Sequence, residues 1–335
     1  MDQALIAAAA AELEQGGLVA FPTETVYGLG ADAENPAAVA RIYAAKGRPS
    51  YHPVIVHLAP GADLAYWARE IPAEAHLLIA AFWPGPLTLI LKRAGHIPAA
   101  VSGGQDSVGL RCPSHPVAQA LLAAFKGGKG GVAAPSANKF GHVSPTTAQH
   151  VRDEFGDELG FVLDGGQSEV GIESTILDLS RMASHGPVLL RPGHVTPAAI
   201  AAVIGQAPRQ PDAAAPRASG TLEAHYAPQT PVALVEAAQC DALCQRLAAA
   251  GHKVALIHYS LAAPLAPAGL VAQAALPADA AGYAHDLYAA LRRMDQAKAT
   301  VILVATPPAD PAWSGINDRL RRAAFDSAGI LGKLL

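Results

Sequence analysis

The sequence predicts an α/β (α+β) fold in two parts: an amino-terminal domain built on a twisted mixed sheet with helices, and a small carboxy-terminal α/β domain. Three observations predict it. Short β-like runs alternate with helical ones over residues 1–205, that rhythm stops in a Pro-, Ala- and Gly-rich stretch at 206–230, and a β-α-β rhythm resumes over 231–335. At 335 residues the chain is long for one domain and sufficient for two, and its 51% hydrophobic content supports sizeable cores.

The strands of the first part are read from short, largely apolar runs: GLVAF (17–21), VIVHL (54–58), LTLIL (87–91), SVGL (107–110), GVAA (131–134), FVLD (161–164), STILDL (174–179) and VLLR (188–191). The clearest helix has Asn35 as N-cap and Pro36 at its first position, and runs to about Ala45 before Gly47. Another follows His115-Pro116, and a third spans Thr146 to Phe155. In the last part PVALV, KVALIHY and TVILVA read as strands, with helices near 239–250, 282–297 and 315–325, a Rossmann-like order. The stretch between is a semi-extended linker by composition, although His-Tyr-Ala-Pro (225–228) is an odd tip for a passive spacer.

Three cysteines, Cys112, Cys240 and Cys244, have no metal-ligand spacing and suit a reducing compartment. Asp2, Glu12 and Glu14 interrupt the apolar amino terminus, which reads as an amphipathic helix and not as a secretion signal. No apolar run reaches membrane-spanning length, so a cytoplasmic protein with no membrane partner is expected. The net charge of −4 argues against wholesale binding to a phosphate backbone. Between Arg41 and Lys139, however, ten Lys/Arg stand against four Asp/Glu, so an anionic ligand is expected in that middle stretch.

No phosphate-binding P-loop, dinucleotide fingerprint, Gly-x-Ser-x-Gly elbow or His-Glu-x-x-His pair is present. Three other stretches carry more polar groups than a simple fold needs. FPTETVYGLG (21–30) reads as a loop with two threonines, Tyr27 and two glycines; taken alone, a plain strand-to-helix turn accounts for it. In KGRPSYHPVIVH (46–57), Lys46 stands at a helix C-terminus and Arg48 two positions on, a cationic pair suited to polyphosphate. In DSVGLRCPSHP (106–116), Arg111 ends a strand where a buried sheet prefers an apolar residue, a place for meeting a carboxylate from the protein or a ligand. Cys112 and His115 lack an orienting third group, so a small buried cysteine explains Cys112 better than a nucleophile. The decapeptide PSANKFGHVS (135–144), rich in small hydrogen-bonding groups, is a turn or a cradle for an oxygen-rich ligand.

Read in order, FPTETVYGLG, KGRP with HPVIVH, GLRCPSHP, APSAN with a serine eight positions after its first, GIESTILDL, LLRPG and HYAP resemble the YrdC-type threonylcarbamoyl-AMP synthases in their longer, two-domain form. The likeness covers essentially the whole chain, to the closing INDRLRRAA. It implies that ATP, L-threonine and bicarbonate or CO2 are converted to threonylcarbamoyl-adenylate and pyrophosphate. Downstream threonylcarbamoyl transferase proteins would then modify the adenosine beside the anticodon in tRNA; direct tRNA contact is left open. The resemblance puts Thr25, His57, Arg111, the backbone at Ala134 and Ser174 on the threonine side. On the nucleotide side it puts Lys46, Arg48, His52, Ser107, Ser136, Asn138, Ser144, Arg191 and Tyr226, with Lys46 and Arg48 as the catalytic cations. Many relatives carry asparagine at the position of His52, and a more basic run precedes their His-Tyr pair.

The chemistry such a site would perform needs no protein nucleophile. Threonine's amine captures CO2, and the resulting N-carboxy oxygen attacks the α-phosphorus, so alignment and cations on developing charge suffice. No metal held by protein side chains and no organic cofactor is expected; Mg²⁺ comes with ATP. The segment near 219–228 is expected to close over the site as a lid. Two other readings are a non-catalytic double-stranded RNA or tRNA-binding module and a carbamoyl-phosphate-using transferase. Few aromatics for base stacking and no cysteine-rich segment speak against them respectively.

Overall fold

Asn35 is extended, and its side chain accepts hydrogen bonds from the amides of Ala37 (3.0 Å) and Ala38 (3.2 Å), capping the helix Pro36–Lys46. Gly47 follows at φ 63°, a left-handed turn that ends the helix and makes Lys46 its last residue. Arg48 therefore leaves in a new direction directly beyond Lys46. The computed structural model describes residues 2–222, 225–259 and 269–335. They form two compact units, Met1–Phe140 with Pro145–Thr221, and Gly141–Ser144 with Leu222–Leu335.

The first unit is built on ten strands: β1 (Val19–Phe21), β2 (Gly28–Asp32), β3 (Ile55–Leu58), β4 (Ala68–Arg69), β5 (Leu87–Arg93), β6 (Ser107–Arg111), β7 (Gly131–Ala133), β8 (Phe161–Val162), β9 (Thr175–Asp178) and β10 (Val188–Arg191). Their order is β10-β9-β5-β6-β3-β7-β2-β1-β8, with β4 pairing β5. The pairs β1/β8, β3/β6 and β5/β9 are parallel and the others antiparallel, so the sheet is mixed, as expected. The reading of residues 21–30 as one loop is corrected here, because β2 lies inside the sheet between β1 and β7. Its glycines carry no strand propensity, but the packing needs one of them. A Cβ on Gly30 would stand 2.8 Å from the Val132 side chain and 2.9 Å from Phe21.

Side-chain alternation gives the sheet two different faces. Val56, Leu89, Leu110 and Leu177 enter one core with the helix Pro36–Lys46, while His57 and Arg111, paired across β3 and β6, point to the other side. Ile90 pairs with Gly109 on that second side, and Thr88, two residues away, shares it. This face is partly covered by the stretch read as a linker. Ala215 and Ala218 pack with Ile55, Ile90 and Ile176, and the Arg209 carbonyl accepts from Leu189 N (2.9 Å). The expected spacer, 206–230, is thus divided between the units at 221/222.

The second unit holds a four-stranded sheet, β11 (Val232–Val235), β12 (Val254–His258), β13 (Leu270–Ala275) and β14 (Val301–Ala305), in the order β11-β14-β12-β13 and parallel throughout. Helices Cys240–Ala249, Ala280–Gln296, Ser314–Ala323 and Ser327–Leu334 accompany it, which gives the expected Rossmann-like order with one strand and one helix that periodicity did not reveal. Among the described residues no helix is long and apolar enough to cross a membrane.

Candidate active site

Arg111 is the buried cation that β6 delivers to the polar face of the first sheet. Its Nη2 donates to Glu24 Oε1 at 2.6 Å, and its Nε donates to the Gly85 carbonyl at 3.3 Å. The carboxylate expected to meet Arg111 is therefore, in this structure, one from the protein. His57 is its cross-strand neighbour, with its ring edge-on to Phe21 at 6.0 Å. Burial, and then the Arg111 charge, push the His57 pKa from 6.5 down to about 3, so the ring is neutral. Its Nδ1 is buried and has no hydrogen-bond partner among the described residues.

This imidazole carries a pH prediction. Its folded pKa lies below its unfolded one, so its contribution to stability is present above pH 6.5 and is lost as pH falls toward about 3. The loss approaches about 1.4 kcal/mol per pH unit inside that window. Thermal melts between pH 7 and pH 4 should therefore fall more steeply for the wild type than for His57→Gln. Parallel curves would refute it.

Ser174 joins two sides of the expected site. Its hydroxyl shares a 2.8 Å hydrogen bond with Thr88 Oγ1 and accepts from Arg191 Nη2 at 3.2 Å; Arg191 Nε donates to its carbonyl at 3.0 Å. Arg191 Nη1 donates to the Ser219 carbonyl at 2.9 Å, and Arg48 Nη2 donates to the Ser219 hydroxyl at 3.3 Å and to the Pro53 carbonyl at 2.9 Å. One residue of the former linker thus contacts two of the three cations assigned to the nucleotide. Arg217 extends the attachment by donating to the Gly103 carbonyl at 3.0 Å, while its amide donates to Gln105 Oε1 at 2.7 Å.

Lys46 ties the helix end to the serine-rich loop. Its buried ammonium donates to the carbonyls of Ser136 (2.5 Å) and Asn138. Burial first, and the Arg48 charge second, hold its pKa well below the usual lysine value. Ser136 also bridges Gly28, which brings the loop against β2. Ala134 continues β7, its amide donating to the Ile55 carbonyl at 2.9 Å, and the Thr25 hydroxyl shares a 2.9 Å hydrogen bond with Thr23. Ser107 opens β6 and is nearly buried. The His52 ring stands edge-on to Phe140 at 5.5 Å, its pKa lowered by burial and then by Arg48.

All the assigned residues except Ser144 and Tyr226 lie in the first unit. Ser144 is buried in the second, beside Val143, whose carbonyl accepts from Arg292. Tyr226 is buried there too, at φ 60°, stacked on Tyr288 (5.9 Å) with the Arg319 guanidinium 5.5 Å from its ring. Three polar residues were absent from the sequence-based assignment. Glu24 lay inside a quoted motif, and its signal was a carboxylate between two threonines. Thr88 was the one hydroxyl in LTLIL, and Ser219 lay in the supposed spacer.

A mixed sheet with buried arginines on its polar side, a buried lysine at a helix end beside a serine-rich loop, and carbonyls and hydroxyls around them is the framework of an enzyme that positions anionic substrates. The comparisons make the class specific. A family model for Sua5, YciO and YrdC, described as "Telomere recombination", matches residues 11–193, and one described as "Threonylcarbamoyl-AMP synthase, C-terminal domain" matches residues 195–325. The chain is 37% identical to the threonylcarbamoyl-AMP synthase of Pyrococcus abyssi, over 94% of this chain and 93% of that protein. It is 39% identical to the Bacillus subtilis protein of the same name, over 95% and 92%. The structure of P. abyssi Sua5 complexed with L-threonine superposes with a TM-score of 0.89 at 36% identity, over 98% of this chain and 96% of that one. The chain belongs to the threonylcarbamoyl-AMP synthase family, in its two-domain form, and is an enzyme.

Proposed function

We propose that the protein forms threonylcarbamoyl-adenylate and pyrophosphate from L-threonine, bicarbonate or CO2, and ATP with its Mg²⁺. The observation that carries this reading is the full-length likeness to a structure solved with L-threonine, in a chain whose own polar face presents a buried arginine. Arg111 takes the threonine carboxylate, His57 and Thr25 face its polar groups, and the Ala134 backbone and Ser174 complete that half. Lys46, Arg48 and Arg191 meet phosphate oxygens, with Ser107, His52, Ser136 and Asn138 beside them. Ser144 and Tyr226 are assigned to the nucleotide by the family resemblance alone.

The chemistry asks little else of the chain. The carbamate oxygen attacks the α-phosphorus, pyrophosphate leaves, and the side chains hold reactants in line while cations offset the charge that develops. A neutral His57 suits this step, because threonine's amine must be free to take up CO2 and a neutral imidazole lacks the acidic second proton that would reprotonate it. The labile product then passes to proteins that transfer the threonylcarbamoyl group to tRNA. Burial of Lys46, Arg48, Arg111 and Arg191 supports catalysis over a non-catalytic RNA surface, since a backbone of phosphodiesters needs cations it can reach.

Radiolabelled ATP incubated with the protein should release pyrophosphate only when L-threonine and bicarbonate are both present, with AMP appearing as the adenylate decays. Equal ATP turnover without threonine would overturn the reading.

A further inference from the structure

We propose that Glu24 is a positioning residue for the threonine half of the site: its carboxylate holds the Arg111 guanidinium in the orientation that receives the substrate's carboxylate. The inference rests on the reading of Arg111 given above. Glu24 is 2% exposed and its backbone is fixed on both sides. The Thr23 hydroxyl donates to the Val26 carbonyl at 2.6 Å, closing the turn around it, and the Glu24 carbonyl accepts from Val170 N at 2.7 Å. The side chain is equally constrained. Oε1 accepts from Arg111 Nη2 at 2.6 Å and Oε2 accepts from the Ser114 amide at 3.0 Å.

Two donors on two oxygens fix the plane of the carboxylate, and the carboxylate in turn fixes the plane of the guanidinium, whose Nε is held by Gly85. Nη1 makes no hydrogen bond among the described residues and is the nitrogen left for a ligand. Arg111 thus loses its rotamer freedom on folding and not on binding, which favours affinity. Only an ionised carboxylate serves here. Both Glu24 oxygens accept, whereas glutamine has one acceptor and would set its amide group against either Arg111 or the Ser114 N–H. Glu24 also offsets part of the Arg111 charge, which by itself weakens attraction for a second carboxylate. The proposal is that orientation outweighs this loss.

Steady-state kinetics of Glu24→Gln and Glu24→Asp test it. Aspartate keeps the counter-charge on Arg111, so that variant retains the buried pairing even if glutamine unfolds the protein, but it is one methylene too short to reach both donors. In each folded variant KM for threonine should rise about tenfold or more, with KM for ATP within about twofold and kcat at saturating threonine within about threefold. A threonine KM that is unchanged or falls, or an equal rise for both substrates, overturns the proposal while leaving the synthase reading intact. A wild type with no threonine-dependent pyrophosphate release overturns both.

Discussion

Lys46→Ala is expected to lower threonine-dependent pyrophosphate release about 10²- to 10³-fold, the usual cost of removing one preorganised charge or donor from a reacting centre. The size of the effect follows from two tasks that one ammonium performs. Lys46 is a buried cation at the end of the helix Pro36–Lys46, and it joins that helix to the loop by donating to the Ser136 and Asn138 carbonyls. Alanine removes the charge and also leaves two carbonyl oxygens without their cation. The loop that positions Ser136 and Asn138 then loosens, and a stability loss of about 1–3 kcal/mol accompanies the kinetic one. Lys46→Arg should not restore activity, because a planar guanidinium does not fit a site shaped around a compact ammonium close to both carbonyls. A pyrophosphate-release assay run beside thermal melts separates the two losses. Activity within threefold of wild type for Lys46→Ala would remove Lys46 from the nucleotide half.

Arg111→Ala is expected to act on the other substrate. Calorimetry should show threonine binding weakened about 10- to 100-fold, the equivalent of one charge-assisted pair, with ATP affinity nearly unchanged. The variant should also melt well below the wild type. Removing the arginine strands the Glu24 carboxylate, 2% exposed, with the Ser114 amide as its one remaining hydrogen-bond partner among the described residues, and breaking a buried pair from one side costs about 3–5 kcal/mol. The double variant Arg111→Ala with Glu24→Gln should recover part of that stability and none of the threonine affinity. Loss of ATP affinity with threonine binding intact would reverse the assignment of the two halves.

Much of the framework was legible in the chain. Asn35-Pro36 caps the helix where it was expected, Pro116–Ala124 follows His115-Pro116, and VLLR forms β10 over Val188–Arg191 as read. These are local signals, in which a side chain caps a helix within a turn or a short apolar run fills a strand. Motif order sufficed for the family, because seven weak patterns in sequence are jointly specific. The strand Gly28–Asp32 was not legible: Gly-Leu-Gly-Ala-Asp has neither alternation nor β-branched residues, and only its neighbours β1 and β7 make it a strand. Strand Leu270–Ala275 and helix Ser327–Leu334 were missed for a related reason, being weakly patterned segments that parallel pairing and burial stabilise.

The sequence by itself determined the order of motifs that places the chain in its two-domain family, and it nominated the cations and hydroxyls proposed for the chemistry. Tertiary structure alone decided which of them touch. Glu24 reaches Arg111 across 87 positions, Thr88 reaches Ser174 across 86, and Arg48 reaches Ser219 across 171. No local periodicity encodes such pairs, because they arise when strands distant in the chain become neighbours in the sheet and bring together the loops that lead into and out of them. For the same reason the stretch 206–221 reads as a spacer by composition yet packs on the first unit: Ala215 and Ala218 are small enough to settle against Ile55, Ile90 and Ile176 once those side chains have been gathered on one side of the sheet.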